Sequence, residues 1–277
     1  MSLMAEKKTT ILKLGGSLLT DKSTPYTLRK NRLRAISLEI KECIDLGLIE
    51  NLVLIHGVGS YGHPPVLKYN LHEGFKDKKQ LIHLSETQKI VNNYRNIITQ
   101  SLFDVGIPIN LMHASSMIVG KKMIIAEYML KSLKGYLSLG MVPLIGGDMI
   151  YDEIMGFSVC GGDQLATLLA RELNVDRLIF GTDVAGVYDY DPKTNPDAIL
   201  FKEIKIDKIE QILQEMDEST ISDASGKMKG KLHSIVSCQD LIESGLEVFI
   251  ITMMENDNLK ALLNGQPFRG TKIITKN

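Results

Sequence analysis

Cysteine is scarce in this 277-residue chain: Cys43, Cys160 and Cys238 stand far apart and form no C-x-x-C pair. That spacing excludes a disulfide scaffold and a cysteine-rich metal centre, and it suits a reducing compartment. An excess of one charge is also missing, since 32 basic residues face 33 acidic ones and leave a formal net charge of −1. No long block of either sign occurs, so bulk attraction to nucleic acid or to an anionic membrane is not expected. No stretch reaches the roughly 18 apolar residues of a membrane span, and residues 1–10 lack the apolar centre of a secretion signal. A cytoplasmic protein is the expectation. The chain also has no G-x-x-x-x-G-K-S/T of the P-loop type, no H-R-D and no D-F-G.

What the chain does have is alternation. Its 44% hydrophobic residues suffice for a large core. Short β-rich runs fall at Thr10 to Leu14, Asn51 to Ile55, Ile107 to Met112, Met141 to Ile145, Arg177 to Phe180 and Glu247 to Thr252. Between them lie amphipathic stretches at Arg32 to Leu46, Glu86 to Asp104, Ala126 to Leu139, Gln164 to Leu173 and Met228 to Ser244. This order predicts an α/β fold with a mainly parallel central sheet and helices on both faces. Ser85, ahead of Glu86 and Gln88, reads as a helix cap, and Gly106 with Pro108 as the stop. Hairpins are expected around Met123 to Ala126 and from Met149 to Cys160, the latter turning over Glu153 to Gly156. Asn174 to Asp176 marks a boundary between two halves, because a second α/β series opens after it.

The run His56-Gly57-Val58-Gly59-Ser60-Tyr61-Gly62-His63-Pro64-Pro65 follows a predicted strand and carries the G-x-G-x-x-G spacing. A dinucleotide fingerprint needs a helix at its third glycine and an acidic residue about 20 positions on. Here two prolines follow, and Glu73 comes too early. The remaining reading is a flexible turn at the carboxyl end of a strand, where backbone N–H groups beside Ser60 and His63 can cradle an oxyanion. Similar turns end or open other elements: Gly15-Gly16-Ser17, Gly146-Gly147-Asp148, Gly161-Gly162-Asp163 and Gly181-Thr182-Asp183. Glycine thus recurs along one predicted sheet edge, the edge at which open α/β sheets bind ligands.

Lys13-Leu14-Gly15-Gly16-Ser17, Gly162-Asp163, Thr182-Asp183-Val184-Ala185-Gly186-Val187-Tyr188 and Asp223 to Lys231 resemble, in chain order, the signatures of the amino acid kinase superfamily. Gly57 to Pro64 and Ser17 to Tyr26 are most similar to its isopentenyl phosphate kinase branch. The resemblance covers Thr10 to about Thr275. It implies an open αβα sandwich, one domain over 1–277 with an acceptor lobe at about 1–174 and an ATP lobe at about 175–277. It further implies phosphorylation of isopentenyl phosphate by ATP with Mg²⁺, and a homodimer. Rival readings are the same fold acting on a fosfomycin-like phosphonate or a carboxylate, and a non-catalytic nucleotide-binding sensor.

Residue by residue, the resemblance gives Lys13, Gly15, Gly16 and Ser17 to the ATP phosphates, with Lys13 also reaching the phosphoryl group in transit. Thr182, Asp183 and Val187 would line the base and ribose, and Gly226 and Lys231 the phosphates. Lys22 would bridge acceptor and transferred group. His63, with Gly57, Gly59, Gly62 and Gly162 around it, would hold the acceptor phosphate. An acceptor phosphate is largely ionised at neutral pH, so no general base is needed, and His63 reads as a binding group. Asp163 either orients Lys13 and Lys231 or caps a helix, with Asp148 a weaker candidate of the same type. Ile90, Tyr94, Ile150 and Val159 are candidates for an apolar slot. No histidine has metal-ligand spacing, and Asp189 to Lys193 lacks the ligands of a calcium loop. Val58, Gly161, Ala185 and Lys227 depart from the usual family residues.

Overall fold

A computed structural model describes residues 8–21, 23–192, 194–218 and 227–276. Its strands are β1 (Thr9–Leu14), β2 (Asn51–His56), β3 (Ile109–Leu111), β4 (Ile118–Lys121), β5 (Ile124–Tyr128), β6 (Val142–Gly146), β7 (Asp148–Asp152), β8 (Gly156–Cys160), β9 (Arg177–Thr182), β10 (Glu203–Lys205), β11 (Glu247–Thr252) and β12 (Gly270–Ile274). The helices are α1 (Gly16–Leu19), α2 (Lys30–Asp45), α3 (Gly59–Lys68), α4 (Gln80–Phe103), α5 (Lys131–Ser138), α6 (Gly162–Glu172), α7 (Ile209–Glu218), α8 (Lys227–Val236), α9 (Gln239–Glu243) and α10 (Asn258–Leu263). Among the described residues, eight strands form one sheet in the order β10-β12-β11-β9-β1-β2-β6-β3, and four form a second in the order β5-β4-β7-β8. The pairs from β11 through β3 are parallel, and β12 runs antiparallel to β11. The expected α/β architecture with a mainly parallel sheet is the observed one.

Period-two alternation sorts the core into two halves. Ile11 of β1, Val53 and Ile55 of β2, Leu178 and Phe180 of β9 and Val248 and Ile250 of β11 face α6, α8 and their neighbours. Leu12 and Leu14, Leu52 and Leu54, Ile179, Phe249 and Ile251 face the other way, onto α2, α4 and α10. Lys13 follows Ile11 by two positions and so shares the first face, the only charged residue in β1. That placement puts its ammonium beneath α6 and α8.

Several sequence expectations change. α4 begins at Gln80 and Ser85 lies inside it. The start signal is Asp77, whose carboxylate accepts the N–H of Lys79 at 2.7 Å while Gln80 Oε1 accepts those of Lys76 and Asp77. Residues 126–139 split into the end of β5 and α5. The helix expected over 228–244 divides into α8 and α9, where Ser234 and Ser237 hydroxyls bond back to the carbonyls of Gly230 and Ser234. The turn expected after Gly57 is instead the start of α3, which continues through Pro64 and Pro65. Pro64 has no N–H for the carbonyl four residues back, at Ser60. The N–H of Tyr26 takes that acceptor at 3.1 Å.

Both hairpins are present, and one carboxylate ties them together. Asp152, fully buried, accepts N–H groups of Lys122 and Met123 from the β4–β5 turn and of Ile154 and Met155 from the β7–β8 turn, all within 3.1 Å. Burial works to raise its carboxyl, yet these donors hold it far below the usual carboxylate range.

Candidate active site

Register places the strand ends level with one another. Lys13 pairs Ile55 and Phe180, Leu14 pairs His56 and Gly181, and His56 pairs Gly146. The glycine-bearing turns after β1, β2, β6 and β9 therefore leave the large sheet along one rim over a cleft of about 830 Å³, and the fifth, Gly161-Gly162, reaches that cleft from β8 of the second sheet. Lys13, Gly15, Gly16, Ser17, Gly57, Gly59, Gly62, His63, Gly162, Asp163, Thr182, Asp183 and Lys231 all line it. Lys22 and Gly226 lie outside the described residues.

Two of those turns touch backbone to backbone. A Cβ on Gly16 would lie 2.5 Å from the N of Gly59, and one on Gly57 would lie 2.6 Å from the N of Gly16. Gly59 also has φ +49°, in the left-handed region that suits glycine. The N–H of Gly57 donates to Leu14 O at 2.8 Å and that of Gly62 to Val58 O at 3.3 Å. Gly57 and Gly62 therefore act by close approach and not, as the sequence suggested, by offering their N–H groups to an anion. First-turn donors with no intrahelical acceptor line the cleft on two sides, at Gly16 and Ser17 of α1 and at Gly162 and Asp163 of α6.

The charge centre sits at the floor. Lys13 Nζ lies 2.7 Å and Lys231 Nζ 3.3 Å from the same oxygen, Oδ1 of Asp163. The two lysine side chains are 9% and 5% exposed, so both ammonium groups are largely stripped of water. Lys231 also rides 4.5 Å from the centre of the Phe180 ring. Burial tends to raise the Asp163 carboxyl, but Lys13 and then Lys231 outweigh it and hold it well below the ordinary carboxylate range. Burial, with Lys13 alongside, pushes the Lys231 ammonium down to about 8. Two cations on one anion leave an unmatched positive charge facing the cleft, which is what a phosphate group would neutralise. Of the two roles open for Asp163, orienting the lysines is the observed one.

Asp148 is different. Its Oδ2 lies 3.2 Å from Nη2 of Arg95, both side chains being almost wholly buried, and it accepts the N–H of Ser115. Arg95 also donates to Gly147 O at 2.7 Å and to Asn92. Asp148 therefore braces the turn after β6, and among the described residues its cationic partner is Arg95 and not a lysine. His56 is packed and neutral, pushed down to about 3 by burial and by Arg95.

The apolar candidates are redistributed. Val159 lines the cleft, but Ile90, Tyr94 and Ile150 do not. Ile150 is on the opposite face of β7, in the core, while Met149 pairs Val159 and faces the cleft with it. On α4 the wall residue is Val91, next to Ile90, together with Thr87 and Gln88. Tyr94 is fully buried, donates its hydroxyl to Gly57 O at 3.2 Å and stacks on Tyr61, so it supports the acceptor turn from behind. Val66 completes the wall. Val187 also leaves the site: it is core, with its N–H donated to Thr271 Oγ1, and Val184, Gly186 and Tyr188 line the cleft in its place. Strand parity would have selected Met149 over Ile150, whereas Val91 and Val66 required knowledge of how α3 and α4 pack.

Among the described residues no group of three His, Cys, Asp or Glu converges as a metal cage, and no helix is long and apolar enough to cross a membrane.

The profile of the Amino acid kinase family matches residues 8–252. Isopentenyl phosphate kinase from Methanocaldococcus jannaschii is 33% identical over 95% of this chain and 98% of its own. The enzyme of that name from Methanothermobacter thermautotrophicus is also 33% identical, over 96% and 99%. A crystal structure of isopentenyl phosphate kinase superposes with a TM-score of 0.79 at 30% identity, covering 96% of this chain and 99% of that one. The chain belongs to the amino acid kinase family and is a phosphotransferase.

Proposed function

We propose that the protein phosphorylates isopentenyl phosphate with ATP to give isopentenyl diphosphate and ADP. The observation that carries this reading is the pair Lys13 and Lys231 sharing Asp163 Oδ1, set beside a glycine-packed turn that brings His63 to the same cleft. The polyphosphate of ATP would lie over Gly16, Ser17 and the two lysines, with the base towards Asp183 and Tyr188. The acceptor phosphate would lie under His63 and the first turn of α6, and its tail against Val66, Val91, Met149 and Val159. The kinase names of full-length relatives support the same reading.

The chemistry needs cations more than a base. A phosphate monoester already carries most of its second charge at neutral pH. Two anions brought to about 4 Å repel by roughly 4 kcal/mol per charge pair at an effective dielectric near 20. Lys13 and Lys231 offset that repulsion, and Asp163 keeps both ammonium groups in place. Mg²⁺ is expected to arrive with the nucleotide, where it would neutralise phosphate charge. The described side chains do not form a cage for it, so no step is assigned to the ion.

The acceptor is tested with a panel of isopentenyl phosphate, fosfomycin and N-acetylglutamate, the product being followed by phosphorus NMR. Isopentenyl phosphate should give the highest kcat/KM by orders of magnitude. Turnover confined to the phosphonate or the carboxylate would reassign the substrate, and ATP binding without transfer to any acceptor would make the chain a sensor.

A pH profile tests the charge centre. Lys231 is cationic below about 8 in the free protein, so kcat/KM for ATP should fall as pH rises through that value. Bound phosphates favour the ammonium form, so the corresponding limb in kcat should move to higher pH. Lys231→Arg, which stays charged, should remove the limb; a limb that stays where it was would assign it to another group. The same lowered pKa costs stability at neutral pH, and the cost is relieved between about 8 and 10.5, where only the unfolded chain still binds the proton.

A further inference from the structure

The joint between the two glycine turns converges on one hydroxyl that belongs to neither. Thr20 follows α1 and is fully buried. Its Oγ1 donates to the carbonyl of Gly16 at 2.7 Å and accepts the N–H of Ser60 at 2.9 Å. Gly16 belongs to the turn after β1, and Ser60 is the second residue of α3. The parallel ladder between β1 and β2 ends with the N–H of Gly57 on Leu14 O. Beyond that bond the two backbones touch at Gly16 and Gly59, and the Thr20 oxygen supplies the next polar link. The fit is close, because a Cβ on Gly59 would lie 2.1 Å from that oxygen.

A third segment is fastened at the same point. The N–H of Tyr26 donates to Ser60 O, the acceptor that Pro64 leaves without its helical donor, and the N–H of Thr27 donates to Ser60 Oγ at 3.3 Å. The bridge between Thr20 and Leu28 closes this hairpin onto its own base. Thr20 therefore meets three things: the turn beside Lys13, the helix that carries His63, and Leu28, its bridge partner in the segment tied to Ser60.

We propose that Thr20 is a positioning residue, whose hydroxyl fixes the spacing between the nucleotide-side and acceptor-side anion cradles. Phosphoryl transfer involves little covalent work by the protein and depends on placing attacking oxygen, phosphorus and leaving oxygen in line. Here the two reactants are held by elements from different strands, so an error in their mutual spacing acts directly on the reacting distance. A valine at position 20 keeps the volume and the branching but removes both bonds, and it leaves the buried N–H of Ser60 without an acceptor. The turns would then separate slightly while each cradle kept its own donors. The effect should fall on turnover and not on either binding step.

The inference rests on the proposed acceptor, and the experiment separates the two. Thr20→Val should lower kcat by about 10- to 100-fold, the scale of a misplacement on the order of 1 Å, with KM for ATP and for isopentenyl phosphate each within about threefold. Thr20→Ser, which restores the hydroxyl without the methyl, should recover kcat to within about threefold of the parent. A bisubstrate analogue, adenosine oligophosphate carrying an isopentenyl ester, spans both cradles. It should bind Thr20→Val about tenfold more weakly than the parent, while ADP and isopentenyl phosphate alone bind within about twofold. The proposal is overturned by unchanged kcat in Thr20→Val, by Thr20→Ser being as slow as Thr20→Val, or by equal weakening of the separate ligands, which would indicate general damage. If Thr20→Val does not fold, Thr20→Cys, with a weakly donating thiol, replaces it and should show the same pattern in reduced degree. Failure of the parent protein to bind the analogue more tightly than ADP would instead defeat the acceptor assignment, and the kcat comparison then uses the acceptor that is phosphorylated.

Discussion

Lys13→Ala is expected to reduce kcat by about 10³-fold while changing KM for ATP by less than about tenfold, as befits a group whose contact strengthens as charge moves in the transition state. The lysine stands at the end of β1, on the face shared with Ile11, and its ammonium is held 2.7 Å from Asp163 Oδ1. In the resting protein it is already paired, so binding of ATP gains only part of its charge. As the phosphoryl group leaves one oxygen for another, negative charge spreads over its equatorial oxygens, and a fixed cation beside them is worth most at that moment. Lys231 remains in the variant and still neutralises Asp163 from 3.3 Å, which is why the loss should appear in turnover rather than in folding. Lys13→Arg should restore little, because a planar guanidinium needs room where Gly162 packs towards the lysine stem, a Cβ there standing 3.4 Å from Lys13 Cε. Steady-state kinetics together with a thermal melt decide the matter. A kcat within tenfold of the parent, at unchanged melting temperature, would remove Lys13 from the reaction.

Much of this is legible in the sequence. Short apolar, β-rich runs such as Ile11-Leu12-Lys13-Leu14 identify the strands, and the central one is buried on both faces, so its single lysine stands out. Asp163 and Lys231 lie 68 positions apart, and only the family resemblance joined them to Lys13. The errors have physical causes. Pro64 and Pro65 pointed to a turn because each lacks an N–H, yet the freed acceptor at Ser60 is taken by Tyr26 from another segment. Ser85 resembled a cap, but the helix starts at Gln80, after a turn in which Asp77 accepts the N–H of Lys79 and Gln80 those of Lys76 and Asp77. Ile90 lies on the helix that does wall the cleft, one position from Val91, so the element was right and the face wrong, whereas Tyr94 shares the face of Thr87 and Val91 but is covered by Tyr61 and Gly57. Thr20 carries no signal in the sequence, because its hydroxyl reaches Gly16 and Ser60 together, a non-local coincidence that local pattern does not encode.

Gly16→Ala should be nearly as damaging as loss of Lys13, for a reason that involves no charge. The added methyl would meet the N of Gly59 at 2.5 Å, its Cα at 2.7 Å and the carbonyl carbon of Gly57 at 3.5 Å. All three are backbone atoms, so no side chain can swing aside, and either the turn after β1 or the start of α3 must move. Overpacking of that kind costs about 1–3 kcal/mol of stability. The larger consequence falls on function, because the displaced atoms carry the two anion cradles, and a shift on the order of 1 Å between reactants can cost about 10²-fold in rate. The expected result is therefore a modest fall in melting temperature with kcat lowered by about 10²-fold or more. Gly135→Ala is the control: it lies in α5, away from the cleft, with nothing within 4 Å of an added Cβ and no positive φ. There alanine should be neutral or stabilising by about 0.5–1 kcal/mol, through the unfolded chain. If Gly16→Ala kept full turnover, the two turns would be shown to yield without consequence, and the contact between Gly16 and Gly59 would lose its claim to set the distance between donor and acceptor.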